Sequence, residues 1–505
     1  METHSGKSWL EKATFYQIYP QSFADSNGDG IGDLRGIIDR IPYLQQLGIS
    51  AIWLNPIFDS PFKDAGYDVR DYYQIAPRYG TTNDLSALID ALHAAGIRLL
   101  LDLVPGHTSD EHPWFIQSSS PDKTPEDDRY IWTDSWFGDA DSLPFVAGVA
   151  PRNGCYVLNF FHSQPALNYG FATPKTPWQQ PTSSQGAQRN REEMAKVITF
   201  WLDKGVDGFR VDMADSLVKH DPDKSATIRA WQEIFTNVKK THPDAIFVAE
   251  WGNPSQSLEA GFDMDFYLDW PGNGYNLLVR ADNAFFSAVS SRAASDFIDQ
   301  YLPHYRASVG AGHFSLITGN HDNPRISHYL TDAELRLYFT FLLTMPGIPF
   351  IYYGDEIAMD YQDLPTHEGG YTRTGARTPM QWSTKPQAGF STNPNTYLPT
   401  FANQGPEKTV ERHEQNPQSL LHVVRTLIKL RRDTPDLHAS GGLEFLSDIS
   451  SDRVLRYRRF SVVVTINMST EPIEIPDEGE ILFALNADLN SGKWLPPASA
   501  VIVGQ

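Results

Sequence analysis

Four carboxylates stand among residues that could share chemistry with them: Asp102, Asp212, Glu250 and Asp322. Arg210 closely precedes Asp212, His321 directly precedes Asp322, and His107 follows Asp102 at short range. Carboxylates gathered in one pocket cannot all stay ionised, because like charges push their pKa values apart. One can then keep a proton and act as a general acid, while another stays ionised and attacks as a nucleophile. A single such residue is more often a helix cap or half of an ion pair. The pattern therefore carries weight only if the chain brings the residues together. No HExxH, GxxxxGK[ST], CxxC or GxSxG pattern offers a competing chemistry.

The elements that must position them can be read from hydrophobic pattern. Eight short apolar runs, at 15–19, 51–55, 98–104, 208–212, 245–250, 262–266, 314–318 and 348–353, alternate with helical stretches. Nearly continuous apolar runs are the mark of parallel strands buried on both faces. The pattern predicts an α/β fold: a (β/α)8 TIM barrel with an inserted domain after the third strand and a C-terminal all-β domain. Asp102, Asp212 and Glu250 end the third, fourth and fifth strands, and Asp322 follows the seventh, so all four converge on one mouth. The expected boundaries are 1–104 and 192–435 for the barrel, 105–191 for the insert and 436–505 for the C-terminal β-sandwich. The insert is rich in Pro, Ser, Gln and Asp and too long for a plain loop.

Composition narrows the partners. The net charge of −21 disfavours nucleic acid and anionic membranes. Aromatic residues form 12% of the chain, enough to line a mouth with flat apolar faces. The only cysteine, Cys155, cannot form an intrachain disulfide. The N-terminal stretch has no apolar secretory core, and the longest apolar run, 337–353, is broken by Pro346, Gly347 and Pro349. A cytoplasmic monomer or small homo-oligomer acting on a small neutral molecule is expected, with no organic cofactor. Paired carboxylates in an aromatic mouth suit glycoside hydrolysis, where the leaving oxygen must be protonated and a developing cation stabilised.

The motifs resemble the alpha-amylase superfamily of retaining glycoside hydrolases, and within it the oligo-1,6-glucosidase and alpha-glucosidase branch. DLVPGHTSD (102–110), GFRVDMAD (208–215), VAEWG (248–252) and GNHDNPR (319–325) match its four conserved regions in order. QPALN (164–168), DAGYDVRDY (64–72) and TRTGARTPMQW (372–382) match further stretches. The resemblance implies an exo-acting alpha-glucosidase cleaving short alpha-glucosides through a covalent glucosyl-enzyme. Asp212 would be the nucleophile, Glu250 the acid/base and the holder of the higher pKa, and Asp322 a binder of sugar hydroxyls. Arg210 would hold Asp212, His107 and His321 would hydrogen-bond the sugar, and Tyr67 would stack on it. Asp64 and Arg373 would cap the non-reducing end, and Asp102 and Gln164 occupy further active-site positions. A transglucosylase or isomerising enzyme would use the same intermediate, although the arginine-rich motif of sucrose isomerases is not visible. A binding-only relative would be expected to lack these carboxylates. Three departures stand out: Gly106 replaces the Asn that binds calcium in true alpha-amylases, Ala166 replaces a common Asp, and Met213 follows the nucleophile.

DSNGDGIGDLRG (25–36) begins like an EF-hand but has Gly36 where a bidentate Glu is needed. Its oxygen donors point to one structural Ca2+ or Mg2+ held by Asp25, Asn27, Asp29, the carbonyl of Ile31 and Asp33. The same stretch resembles the metal loop of the glucosidase branch.

Overall fold

The computed structural model describes residues 6–134, 140–369, 373–401, 406–447, 449, 451–476, 478–487 and 494–505. Thr372, the first residue of the 372–382 stretch, lies outside them. All eight expected strands form: β1 (Phe15–Ile18), β2 (Ala51–Leu54), β3 (Arg98–Leu103), β4 (Gly208–Val211), β5 (Ile246–Ala249), β6 (Met264–Phe266), β7 (His313–Ser315) and β8 (Phe350–Tyr352). Each pairs in parallel with its neighbour from β1 to β7, and β8 pairs with β1. A parallel bridge from Ile317 to Phe350 spans the seam between β7 and β8, so the barrel is nearly closed. Apart from Arg98 and His313 at two strand starts, every strand residue is buried, which is why the runs are apolar without alternation.

Capping residues fix where helices begin. Thr81 and Asp84 form a reciprocal capping box on Thr82–Ala94, and Thr331 and Glu334 form another on Asp332–Thr344. Ser184 accepts a hydrogen bond from the Ala187 N–H and starts helix Gln185–Leu202, so a barrel helix begins inside the stretch read as insert. The insert contains a short helix, Pro113–Ser118, and a hairpin of Phe145–Ala147 with Cys155–Val157. Its own small core comprises Ile131, Ala140, Val157, Ala166 and Phe171.

The C-terminal domain is an antiparallel sheet of β9 (Glu444–Phe445), β10 (Val454–Arg459), β11 (Val462–Asn467), β12 (Glu480–Leu485) and β13 (Ser499–Gly504). β13 lies between β11 and β12. A two-stranded ladder, Ile473–Glu474 with Trp494–Leu495, packs over one side through Ile473 and Leu495 against Val501 and Val503. Among the described residues, no helix is long and apolar enough to cross a membrane.

Candidate active site

Arg210 on β4 is the hub of the barrel mouth. It is 1% exposed, and its Nη1 donates to Asp102 Oδ1 at 2.8 Å and Asp212 Oδ1 at 3.1 Å, while Nη2 pairs with Glu250 Oε1 at 2.7 Å. Asp102 takes two further hydrogen bonds, from Tyr67 OH at 2.8 Å and Trp53 Nε1 at 3.0 Å. Burial pushes Asp102 up to about 6 against the pull of Arg210, Tyr67 and Trp53. The other Glu250 oxygen accepts the Met213 N–H at 2.9 Å. Met213 adopts the left-handed region, φ 41°, a conformation that bulky residues rarely hold. That turn aims its N–H at the acid.

Burial first, and then the charge of Glu250, raise Asp212 well above the usual carboxylate range, with Arg210 opposing. Glu250 is posed as an acceptor for Arg210 and Met213.

A second wall runs through Asp322. Its Oδ1 accepts from Arg373 Nη1 at 2.8 Å and Arg377 Nη2 at 3.0 Å. Burial opposes ionisation of Asp322, yet the guanidiniums of Arg373 and Arg377 hold its carboxyl well below the ordinary range. Arg373 also donates to Asp64 Oδ1 at 2.9 Å, and Gln164 Nε2 donates to Asp64 Oδ2 at 2.8 Å. This chain ties the insert to the barrel mouth. Gly369 sits against it with φ +70°, and a Cβ there would lie 2.3 Å from Asp64 Oδ1. Only glycine fits beside this pair.

His321 is fully buried and burial drives its pKa far down, so the ring is neutral. Gln17 Nε2 and Asn55 Nδ2 lie 3.0 and 3.1 Å from Nδ1. Two amide donors on Nδ1 place the proton on Nε2, which has no hydrogen-bond partner and lies 3.4 Å from Asp322. Tyr67 stacks on the His321 ring at 5.2 Å. His107 is also neutral, lowered by burial to about 3, but both its nitrogens are engaged: Nε2 with the Tyr67 carbonyl and Nδ1 with Asn159.

The mouth encloses about 400 Å3. Asp64, Tyr67, His107, Asp212, Glu250, Asp322 and Arg373 line it, while Asp102, Gln164, Arg210 and His321 stand behind and hold them. Sequence reading missed Gln17 and Asn55, polar residues in and just after apolar strands, and Arg377 within 372–382. It also missed the rim: Phe160, Leu268 and Trp270, of which Trp270 is 59% exposed. A larger hollow of about 760 Å3 contains two acids, Asp332 and Glu407, neither of which follows a barrel strand.

The space beside Gly106 is filled from the insert. A Cβ at Gly106 would lie 2.6 Å from Asn159 Nδ2. Asn159 also accepts from the buried Lys219 Nζ at 2.8 Å, and Lys219 donates to the Ser216 carbonyl at 2.8 Å. An ammonium group thus bridges insert and barrel. In the 25–36 loop, Asp25 accepts the N–H groups of Gly28 and Gly30, Asn27 that of Asp29, and Asp29 that of Ile31. Asp33 is the N-cap of helix Leu34–Asp39. Among the described residues, no three His, Cys, Asp or Glu side chains gather as a metal cluster.

An eight-stranded barrel with carboxylates at successive strand ends, joined by one arginine beneath a small aromatic-rimmed pocket, defines a sugar-cleaving site. Residues 17–440 match the model of the alpha amylase catalytic domain. The chain is 34% identical to an alpha-glucosidase of Culex pipiens, over 84% of this chain and 75% of the relative. It is 30% identical to an oligo-1,6-glucosidase of Parageobacillus thermoglucosidasius, over 93% and 92%. Among solved structures it is similar to the trehalulose synthase MutB from Pseudomonas mesoacidophila MX-45, with TM-score 0.81, 27% identity, and coverage of 98% and 99%. The chain belongs to the alpha-amylase catalytic-domain family and is a glycoside hydrolase of the alpha-glucosidase type.

Proposed function

We propose that the protein is a retaining, exo-acting alpha-glucosidase that hydrolyses short malto- or isomalto-oligosaccharides. The observation that carries this reading is the chain Gln164–Asp64–Arg373–Asp322, which crosses the wall of the pocket beside Tyr67 and would cap the terminal sugar there. The Nε2–H of His321 and the ionised Asp322 serve the sugar hydroxyls beside it.

Asp212 attacks the anomeric carbon as the bond to the leaving oxygen breaks, and Glu250 gives that oxygen its proton. Water then loses a proton to Glu250 and attacks the same carbon, and Asp212 leaves. Because Arg210 touches both carboxylates, it stabilises whichever is ionised at each stage. Asp212→Asn should lower kcat by roughly a thousandfold or more. Maltose or isomaltose should be cleaved far faster than starch, with the product sugar released in its alpha form. An early viscosity drop in starch would reject exo-action.

The likeness to a trehalulose synthase favours a second reading, in which a sugar acceptor replaces water. The exposed Trp270 and Phe160 offer faces for such an acceptor. Product analysis on maltose, isomaltose, sucrose and trehalose separates the two: free glucose marks hydrolysis, and rearranged or longer glucosides mark transfer.

The proposal includes a structural Ca2+ or Mg2+ at Asp25, Asn27, Asp29, the Ile31 carbonyl and Asp33. The all-oxygen donor set suits a hard cation, while Asp25 Oδ1, Asp25 Oδ2 and Asp33 Oδ1 each already accept two hydrogen bonds that a bound cation would have to replace. Chelator should lower the melting temperature while leaving low-temperature activity nearly intact. Unchanged melting would remove the metal.

A further inference from the structure

Asp265 lies in the middle of β6 and is 0% exposed. Its neighbour Phe266 points into the barrel, stacked on Trp53 and edge-on to Phe350. Strand alternation therefore puts Asp265 on the outer face, against helix Pro254–Glu259. There its Oδ1 accepts the N–H of Trp251 at 3.2 Å and of Gly252 at 3.0 Å, and its Oδ2 accepts Ser257 Oγ at 2.9 Å. Trp251 and Gly252 are the two residues that follow Glu250, and Gly252 turns with φ +76°. Trp251 itself lines the pocket and ties back to Gln256 through Nε1 at 3.0 Å.

The strand bearing Glu250 ends at Ala249, so Glu250 is the first residue beyond the ladder. Its backbone is held before it by the N–H bond to the Val211 carbonyl and after it by Asp265. We propose that Asp265 is a positioning residue for the acid/base: it clamps the Trp251–Gly252 turn so that Glu250 can reach the leaving oxygen of the substrate. This rests on Glu250 being the acid. Burial pushes Asp265 up to about 7 against its N–H and hydroxyl donors. A neutral side chain of the same shape is therefore a fair substitute. Asparagine can accept both N–H groups at Oδ1 and donate to Ser257.

The test compares substrates that need proton donation with one that does not. A general acid is worth about a hundredfold or more for a sugar leaving group and little for fluoride. In Asp265→Ala, kcat/KM for maltose should fall about thirtyfold or more, while that for alpha-glucosyl fluoride should stay within about threefold. Asp265→Asn should restore maltose to within about threefold of the parent. If Asp265→Ala does not fold, Ser257→Ala carries the test, with a smaller loss of about two- to fivefold on maltose alone. Equal losses on both substrates, or loss on neither, overturn the inference. Glu250→Gln serves as the reference. If it discriminates between the substrates and the Asp265 variants do not, the positioning role alone falls. If it fails to discriminate, the acid assignment falls and the positioning role with it.

Discussion

Most of the charged groups that matter in the mouth are held by other side chains rather than by solvent, and this sets how single residues respond to pH. Asp68 shows the principle outside the reacting pair. It is fully buried and accepts the N–H groups of Lys63 at 2.8 Å and Asp64 at 2.9 Å, shaping the turn that presents Asp64 and Tyr67. Burial raises its pKa to about 6 despite those donors. A carboxyl raised in the folded state binds its proton more tightly there than when unfolded. Its contribution is fully present below the unfolded value, near 4, and is lost as pH rises through about 6. Asp68→Asn cannot titrate, so its stability relative to the parent should rise between pH 4 and 7, by at most about 3 kcal/mol. Urea unfolding of both proteins across that range measures the difference. At this scale the sequence was informative about carboxylates and poor about their holders. Asp212, Glu250 and Asp322 were visible because strand ends converge by topology. Gln17, Asn55 and Gly369 act through partners far along the chain, and nothing local in their sequence marks that.

Elements were legible in proportion to their regularity. The eight strands stood out because burial on both faces demands unbroken apolar runs, although the observed ladders are one to a few residues shorter than those runs. The insert was legible as a domain but not in its inner elements, because its segments are short and its core small, and it leans on the barrel for support. One place where it leans is Asn159. Its amide reaches His107 Nδ1 at 3.2 Å and Ser216 Oγ at 3.3 Å, and its oxygen takes the Lys219 ammonium. Burial lowers Lys219 to about 8, so the ammonium is costly to keep there and depends on its few acceptors. Asn159→Ala leaves that ammonium with the Ser216 carbonyl and frees His107 Nδ1. We expect a loss of about 1–3 kcal/mol in thermal unfolding. Earlier proteolytic cutting within the insert should accompany it, because the bond lost is one that joins the two parts.

Across the whole molecule, barrel and C-terminal sheet share one apolar core. Leu343, Met345 and Leu437 belong to the same buried cluster as Leu455, Tyr457, Val464 and Ile502. Two buried arginines, neither ion-paired with an acid among the described residues, bolt the junction. Arg431 donates to the carbonyls of Leu343, Met345 and Gly347, and Arg459 to those of Thr344, His438 and Gly442. Most of these carbonyls lie at or just past the C-terminal end of helix Asp332–Thr344, where unpaired acceptors and the helix dipole favour a cation. Burial lowers Arg431 to about 9 and Arg459 to about 10, and for Arg431 the neighbouring Arg459 adds to the drop. Removing one guanidinium therefore has two opposed effects. It relieves the repulsion on the other, and it strands three carbonyls, all buried for Arg431 and two of them part-buried for Arg459. Each stranded acceptor costs about 1–3 kcal/mol, while the repulsion between guanidiniums neutralised by surrounding dipoles is a fraction of that sum. Arg459→Met should thus destabilise the protein by about 3 kcal/mol or more. The shared core predicts how the loss will appear: in calorimetry the parent should unfold in one transition spanning both domains, and the variant should shift that whole transition downward. A separate early transition of the C-terminal sheet would show instead that the junction, and not a common core, joins the two.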